Sequence, residues 1–317
     1  MRSEGQIALR TGLQTMTVRG ALKEAMARLR DARVPSHTLA AELLLMHATG
    51  RDRAWLYAHP EETVEPATAE RFLEMVARRS SGVPTQYLTG KQEFWGLEFE
   101  VTPEVLIPRP ETEHVVEVAL DRLGLRGARS GCSADTEGSG LVAADVGTGS
   151  GCIAVALAKQ LPGACFYATD ISSAALEVAL RNATRHGVAG QIEFINCNLL
   201  DGLTREPRRL DLIVSNPPYI GSSEQPVLQR EVRDHEPESA LYAGEHGNDL
   251  YEPLIGQAAQ LLKPEGILVL ELGHNSLPAV RPLLENAMWK NAGVTNDLAG
   301  IPRVLAAERT LAESRHA

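Results

Sequence analysis

Ala143-Ala144-Asp145-Val146-Gly147-Thr148-Gly149-Ser150-Gly151-Cys152-Ile153 is an apolar run that ends in a glycine-rich turn and passes into a helical pattern continued by Val155, Ala156, Leu157 and Leu161. Strand, tight loop and helix in that order open a parallel α/β sheet. Glycines in the loop let backbone approach a ligand with no Cβ in the way, and the first turn of the helix offers free N–H groups. The spacing is Gly-x-Gly-x-Gly, not the Gly-x-Gly-x-x-Gly of dinucleotide sites, so a pyrophosphate is not the ligand it points to first.

The run Ala164-Cys165-Phe166-Tyr167-Ala168-Thr169 ends at Asp170, where an acid that takes ribose hydroxyls stands in such sheets. An adenosine-containing ligand is implied. Further on, Leu210-Asp211-Leu212-Ile213-Val214-Ser215 reads as a buried strand and ends in Asn216-Pro217-Pro218-Tyr219. That tetrapeptide suits methylation of a planar, non-basic nitrogen. The lone pair of an amide NH2 is delocalised, so both hydrogens must be held by acceptors before it can face an electrophile. Asn216 offers a side-chain carbonyl and Pro217 a backbone carbonyl, while the two prolines fix φ and hold the segment extended. Tyr219 adds a ring that can pack on a planar group, with a hydroxyl at its tip. Gly147, Asp170 and Asn216 all fall at the carboxyl ends of strands, where ligands of open α/β sheets bind.

From residue 141 strands and helices alternate, with helices expected over 152–160, 172–186, 250–262 and 276–288 and two short edge strands over 294–298 and 303–308. The expected domains are a disordered leader over 1–15, a helical domain over 16–82, a hairpin linker over 83–110 and a catalytic α/β domain over 111–317. In the helical domain Val18, Ala21, Leu22, Ala25 and Leu29 share a face, as do Leu39, Leu43, Leu44 and His47, the histidine read as packed or capping. Residues 126–140, rich in Gly, Ser and Ala, read as a surface loop.

A formal charge of -10 over 317 residues argues against a general nucleic-acid binder, which needs a basic face. Cys132, Cys152, Cys165 and Cys197 have no metal-ligand spacing, and no metal is expected. The last three read as small buried thiols of a reducing compartment. No apolar run reaches the length of a membrane span, so the expectation is a soluble, cytoplasmic protein without membrane partners.

Beyond the two motifs the chain carries Gly82-Val83-Pro84-Thr85-Gln86-Tyr87-Leu88-Thr89-Gly90, Glu93-Phe94-Trp95-Gly96-Leu97, and Leu106-Ile107-Pro108-Arg109-Pro110-Glu111-Thr112-Glu113. Later come Glu236-Pro237 with Ala240-Leu241, and Asp297-Leu298-Ala299-Gly300 leading to Arg303-Val304. Through these segments it resembles the PrmC/HemK family of peptide chain release factor N5-glutamine methyltransferases, within the class I S-adenosylmethionine-dependent methyltransferases. The glycine loop is shared by many methyltransferases, whereas the segment around Arg109 is far more specific.

The resemblance implies a doubly wound, mostly parallel seven-stranded sheet with an antiparallel C-terminal edge hairpin, and a small N-terminal helical domain, joined by a β-hairpin, that helps dock a protein substrate. It assigns S-adenosyl-L-methionine to Gly147, Thr148, Gly149, Ser150 and Gly151, with Asp170 on the ribose, Leu199 near the adenine and Asn216 between cofactor and substrate. It gives Asn216, Pro217, Pro218 and Tyr219 the catalytic role, and sets Arg109 and Thr112 beside the substrate. The implied partner is a release factor, methylated on the glutamine of a Gly-Gly-Gln loop. Asn198 departs from the family, standing where an acid often contacts the adenine edge. The alternatives are a ribosomal-protein glutamine methyltransferase, a nucleic-acid amino methyltransferase acting on a flipped base, and a silent binding partner with a decayed cofactor site.

Overall fold

The computed structural model describes residues 16–124, 140–204 and 209–310. The leader expected over 1–15, most of the surface loop over 126–140 and Cys132 lie outside the described residues. The chain divides into two compact units, Met1–Gly90 with Gln229–His235, and Lys91–Leu228 with Glu236–Ala317.

In the first unit α1 (Val18–Asp31) starts at Thr17, whose hydroxyl accepts from the Gly20 N–H, and α2 (His37–Thr49) stops at Gly50 with φ +68°. Asp52 caps α3 (Arg53–Ala58), Pro66 opens α4 (Pro66–Ser80), and α5 (Thr85–Thr89) ends at Gly90. Leu29, Leu44, Leu45, Leu56 and Phe72 meet in one core. The core stripe of α2 differs from the expected one. Ala40, Ala41, Leu44 and Leu45 are buried, while Leu39 at 48% and Leu43 at 37% exposure face outward together with His47. The near-continuous apolar run in α2 left the face undetermined by periodicity, and packing against α1 and α4 selected it.

The second unit begins with a hairpin, β1 (Lys91–Phe94) and β2 (Leu97–Glu100), turning on Trp95 and Gly96 at φ +56° and +73°. Positive φ at both central residues matches the twist of the two strands. The Trp95 N–H is held by Glu113 Oε1 at 2.8 Å. The stretch 83–110, expected as a hairpin linker, opens with the helix Thr85–Thr89 before the first strand starts at Lys91.

A turn of 3-10 helix at Pro110–Thr112 leads into α6 (Glu113–Arg122), followed by β3 (Val142–Val146), α7 (Cys152–Gln160), β4 (Cys165–Asp170), α8 (Ser173–Arg185), β5 (Ile192–Asn196) and β6 (Leu210–Ser215). Then come α9 (Tyr251–Leu261), β7 (Leu262–Glu271), β8 (Trp289–Asn296) and β9 (Pro302–Arg309). The sheet order is β5-β4-β3-β6-β7-β9-β8; the first five strands run parallel, and β9 pairs antiparallel with β7 and β8. Alternation along β6 sends Leu212 and Val214 into the core shared with α6, α7 and α8 and Ile213 into the core under α9, where a register shift between Leu210 and Leu212 brings Leu210 as well.

The helix expected over 276–288 reduces to Leu277–Val280 and a 3-10 turn, Arg281–Leu284. Pro282 explains this: Pro278 is tolerated in the first turn, but a helix continued past Val280 would place Pro282 in its interior, where it lacks an N–H and crowds the carbonyl four residues back. Cys165 is exposed at the start of β4, contrary to the buried thiol expected there.

Asn182 on α8, fully buried, holds the hairpin to the sheet unit. It accepts from Glu100 N at 2.7 Å, and its Nδ2 donates to Glu100 O at 3.0 Å and Ser150 O at 2.9 Å. Replacing Asn182 by Ala strands buried backbone groups, and the expected loss is about 2–4 kcal/mol in urea denaturation.

Candidate active site

The strand order reverses between β3 and β6, because the chain runs outward from β3 through β4 to β5 and then returns to β6 on the other side. Crevices at such switch points, beyond the carboxyl ends of the strands, are where α/β sheets take ligands. Here a cavity of about 270 Å³ opens there, lined by Gly147, Gly149, Asp170, Leu199, Asn216 and Pro218 among others. Its volume is near the lower end of small-molecule sites.

The glycine loop is shaped by backbone needs. Gly147, Gly149 and Gly151 all have positive φ, at +70°, +55° and +81°. Gly147 N and Thr148 N both donate to Thr169 O at 2.9 Å, which turns the chain sharply off β3. A Cβ on Gly151 would lie 3.0 Å from Ala179 Cβ, so this glycine serves the packing of α7 on α8. Thr148 points inward, its hydroxyl donating to Asp145 Oδ2 at 2.7 Å, and Ser150 is buried with its carbonyl held by Asn182. Of the five loop residues expected at the cofactor, Gly147 and Gly149 line the cavity; Thr148, Ser150 and Gly151 build the loop behind it.

Asp170 lies at the cavity wall with Oδ2 accepting from Gly149 N and Oδ1 from Ser172 N, both at 2.9 Å. Burial raises its pKa above the ordinary carboxylate range, and the backbone N–H groups of Ser172, Gly149 and Ile171 oppose that rise. Leu199 lines the wall in left-handed backbone geometry, φ +47°, with Asn198 beside it.

Asn216 stands at the end of β6, and its Nδ2 donates to Thr112 Oγ1 at 3.1 Å. Pro217 is buried, and its carbonyl accepts no hydrogen bond among the described residues. Tyr219 is turned away from the cavity. Its ring packs on Gly273, where a Cβ would meet Tyr219 Cδ2 at 3.0 Å, and its hydroxyl donates to Glu271 Oε1 at 3.3 Å. Arg109 forms an ion pair with buried Glu236, whose other oxygen accepts from Ile107 N at 3.2 Å. Thr112 is thus joined to Asn216, whereas Arg109 secures the chain that passes the site.

Other wall residues had no role assigned from sequence. Val105 and Leu106 come from the stretch after β2, and Pro237, Ala240 and Tyr242 from the loop beyond β6. Leu106, Pro237 and Ala240 stood within quoted motifs, so the signal was present without a role. The buried Tyr242 hydroxyl has no partner among the described residues and belongs to the lining of the cavity, an orphan donor that a polar ligand would satisfy. Glycines that bring backbone to the wall, an acid on the neighbouring strand end and an unpaired phenol fit an adenosine-bearing ligand.

Fold and crevice together define a class I methyltransferase. The family descriptions PrmC N-terminal domain and methyltransferase small domain match residues 20–90 and 135–234. The chain is 43% identical over 291 residues to the release factor glutamine methyltransferase of Koribacter versatilis, covering 92% of this chain and 98% of that relative. With the enzyme of the same name from Moorella thermoacetica it shares 44% identity, over 93% and 99% of the two chains. Among solved structures, the catalytic domain of hMettl16 in complex with MAT2A 3'UTR hairpin 6 matches with a TM-score of 0.53 at 19% identity, over 78% of this chain and 82% of that one, a likeness of fold alone. The chain belongs to the release factor glutamine methyltransferase family and is a glutamine methyltransferase.

Asp145 ends up fully buried under the loop, its Oδ2 taking the Thr148 hydroxyl and Ala154 N while Oδ1 has no partner among the described residues. Burial pushes its pKa from 3.8 to about 7. The folded chain therefore holds this proton more tightly than the unfolded chain, and stability is lost as pH rises from about 4 to about 7 and is level above. The Asp145→Asn variant should gain in melting temperature relative to wild type across that window, with a constant difference beyond it; differential scanning fluorimetry at stepped pH checks this.

Proposed function

We propose that this enzyme methylates the side-chain amide nitrogen of the glutamine in the Gly-Gly-Gln loop of peptide chain release factors, using S-adenosyl-L-methionine, in the cytoplasm. The observation that carries the reading is the Asn216 amide at the crevice wall. Its NH2 is engaged by Thr112, so its carbonyl is the open end, and the carbonyl of buried Pro217, next in the chain, accepts no hydrogen bond among the described residues. Two acceptors side by side are what a substrate NH2 needs if both its hydrogens are to be held.

Bound in the crevice, S-adenosyl-L-methionine supplies an electrophilic sulfonium methyl. Gly147 and Gly149 would hold it by backbone, Asp170 by its ribose hydroxyls and Leu199 by contact with the adenine. Asn216 Oδ1 and the Pro217 carbonyl orient the glutamine NH2 and stabilise the positive charge that grows on nitrogen as the new N–C bond forms. The proton on that nitrogen becomes acidic and leaves to water, so no ionisable base is required of the protein. Pro218 keeps the acceptor pair rigid and Tyr219 braces it from behind through Glu271. The helical domain, 16–82, is assigned to docking the release factor and 83–110 to linking it to the catalytic domain, 111–317; no nucleic acid is needed as substrate, in keeping with the charge of -10.

Transfer of labelled methyl from S-adenosyl-L-methionine to purified release factor tests the reading. Asn216→Ala should lower kcat by about 100- to 1,000-fold, the size of effect seen when one preorganised transition-state contact is removed. A release factor with its loop glutamine replaced should take no label. Label on a ribosomal protein instead would keep the enzyme class and change the substrate.

A further inference from the structure

Two of the segments that stand out in the sequence, Leu106-Ile107-Pro108-Arg109-Pro110 and Glu236-Pro237, meet at one buried carboxylate. The Glu236 side chain is 1% exposed and spends both oxygens on a single stretch of chain. Oε2 accepts from Ile107 N at 3.2 Å, and Oε1 accepts from Arg109 Nη2 in an ion pair. Local backbone chemistry prepares both sides of this clip. Ile107, Arg109 and Glu236 each precede a proline, which disfavours helical geometry and biases all three toward an extended backbone.

The clip joins two walls of the crevice that lie 129 residues apart in the chain. Val105 and Leu106, immediately before Ile107, line the cavity, and so do Pro237, Ser239, Ala240 and Tyr242, immediately after Glu236. The Ile107 N–H belongs to the planar peptide unit that carries the Leu106 Cα, so holding that N–H fixes where the Leu106 wall stands. The second wall is tied in turn to the chain behind the Asn216 tetrapeptide. Ile220 N donates to Leu241 O at 2.9 Å, and Ala243 N donates to Ile220 O at 3.0 Å.

A buried ion pair returns little net stability, because taking two charges out of water offsets their attraction. Direction is what it does return. Here the carboxylate has two donors on one side and the start of a cavity wall on the other, and neither neighbouring proline lets the chain fold away from it.

We propose that Glu236 is a positioning residue for the cofactor: by clipping Ile107 and Arg109 it holds the wall of Val105 and Leu106 against the wall of Pro237, Ala240 and Tyr242, at the spacing that S-adenosyl-L-methionine fills. The inference rests on the reading of the crevice as the site of that cofactor. With the clip broken, the binding energy of the cofactor must first draw the walls together, so affinity falls while the acceptor pair at Asn216 and Pro217 is left in place.

The test uses the full chain, with S-adenosyl-L-homocysteine, the demethylated cofactor, as the probe. In calorimetric titration Glu236→Gln, which offers one acceptor oxygen to two donors, should raise the Kd at least about tenfold. Arg109→Met should also weaken binding, and the double variant, in which the glutamine carbonyl is left for Ile107 N, should be no worse than the poorer single one. In methyl transfer to release factor, Glu236→Gln should raise the KM for S-adenosyl-L-methionine by about tenfold or more while kcat at saturation falls no more than about threefold, a split that general loss of structure would not give.

Wild type carries its own test, because coupling is reciprocal and a cofactor that needs the clip must also hold it shut. Saturation with the probe should slow hydrogen exchange of the Ile107 amide at least about tenfold more than that of the Val142 amide, which Asp211 holds at the far end of β3. Equal affinity in wild type and Glu236→Gln, a loss confined to kcat, losses that multiply in the double variant, or Ile107 exchange that the probe leaves unchanged would overturn the proposal and leave the cofactor reading standing. Wild type that binds no probe would overturn both.

Discussion

Four parallel strands, β4, β3, β6 and β7, stop side by side at the edge of the core, and the polar groups released at their ends need partners there. The protein satisfies that constraint by stitching each end to its neighbour. Thr169 O takes two N–H groups of the loop after β3, the Ser215 hydroxyl donates to Val146 O at 2.7 Å, and Cys197 N donates to Asp170 O at 3.1 Å. The crevice is what the stitching leaves uncovered.

The acids at these ends repeat one physical theme. Asp145, Asp170 and Glu271 are each raised in pKa by burial, and each is partly offset by hydroxyl or backbone donors. A carboxylate held in this way weakens the fold near neutral pH and gives back directional acceptors in return. Asp145 uses them to set the turn of the glycine loop, Asp170 to hold Gly149 beside the cavity, and Glu271 to seat Tyr219. Stability is traded for orientation at the places where orientation matters, as strained or buried polar positions at functional sites commonly do.

The tetrapeptide after β6 is supported from both directions along the chain. Upstream, Thr112 meets the Asn216 amide; downstream, Tyr219 is fixed on Gly273 and Glu271. Ion pairing of Arg109 with Glu236 joins the stretch before α6 to the loop beyond β6, two parts of the chain that both supply walls of the cavity. The segment Leu106–Glu113 therefore both lines and supports the site, Leu106 at the cavity wall and Thr112 on the Asn216 amide.

Local chemistry was legible in the sequence wherever a residue's backbone demand or periodicity is self-contained. The glycine loop, the acid at the end of β4, the rigid Asn216-Pro217-Pro218-Tyr219 acceptor pair and the alternation of strands and helices follow from φ preferences and spacing that need no partner. Other features depend on what lies across the fold. The face that α2 buries, the loss of helix after Ser276, the turn of Tyr219 onto Glu271, and the meeting of Thr112 with Asn216 were settled by packing and by hydrogen bonds between segments far apart in the chain. A sequence states which donors and acceptors a residue carries, but which of them is spent on a neighbour and which is left for a substrate is decided only when the strands are set side by side.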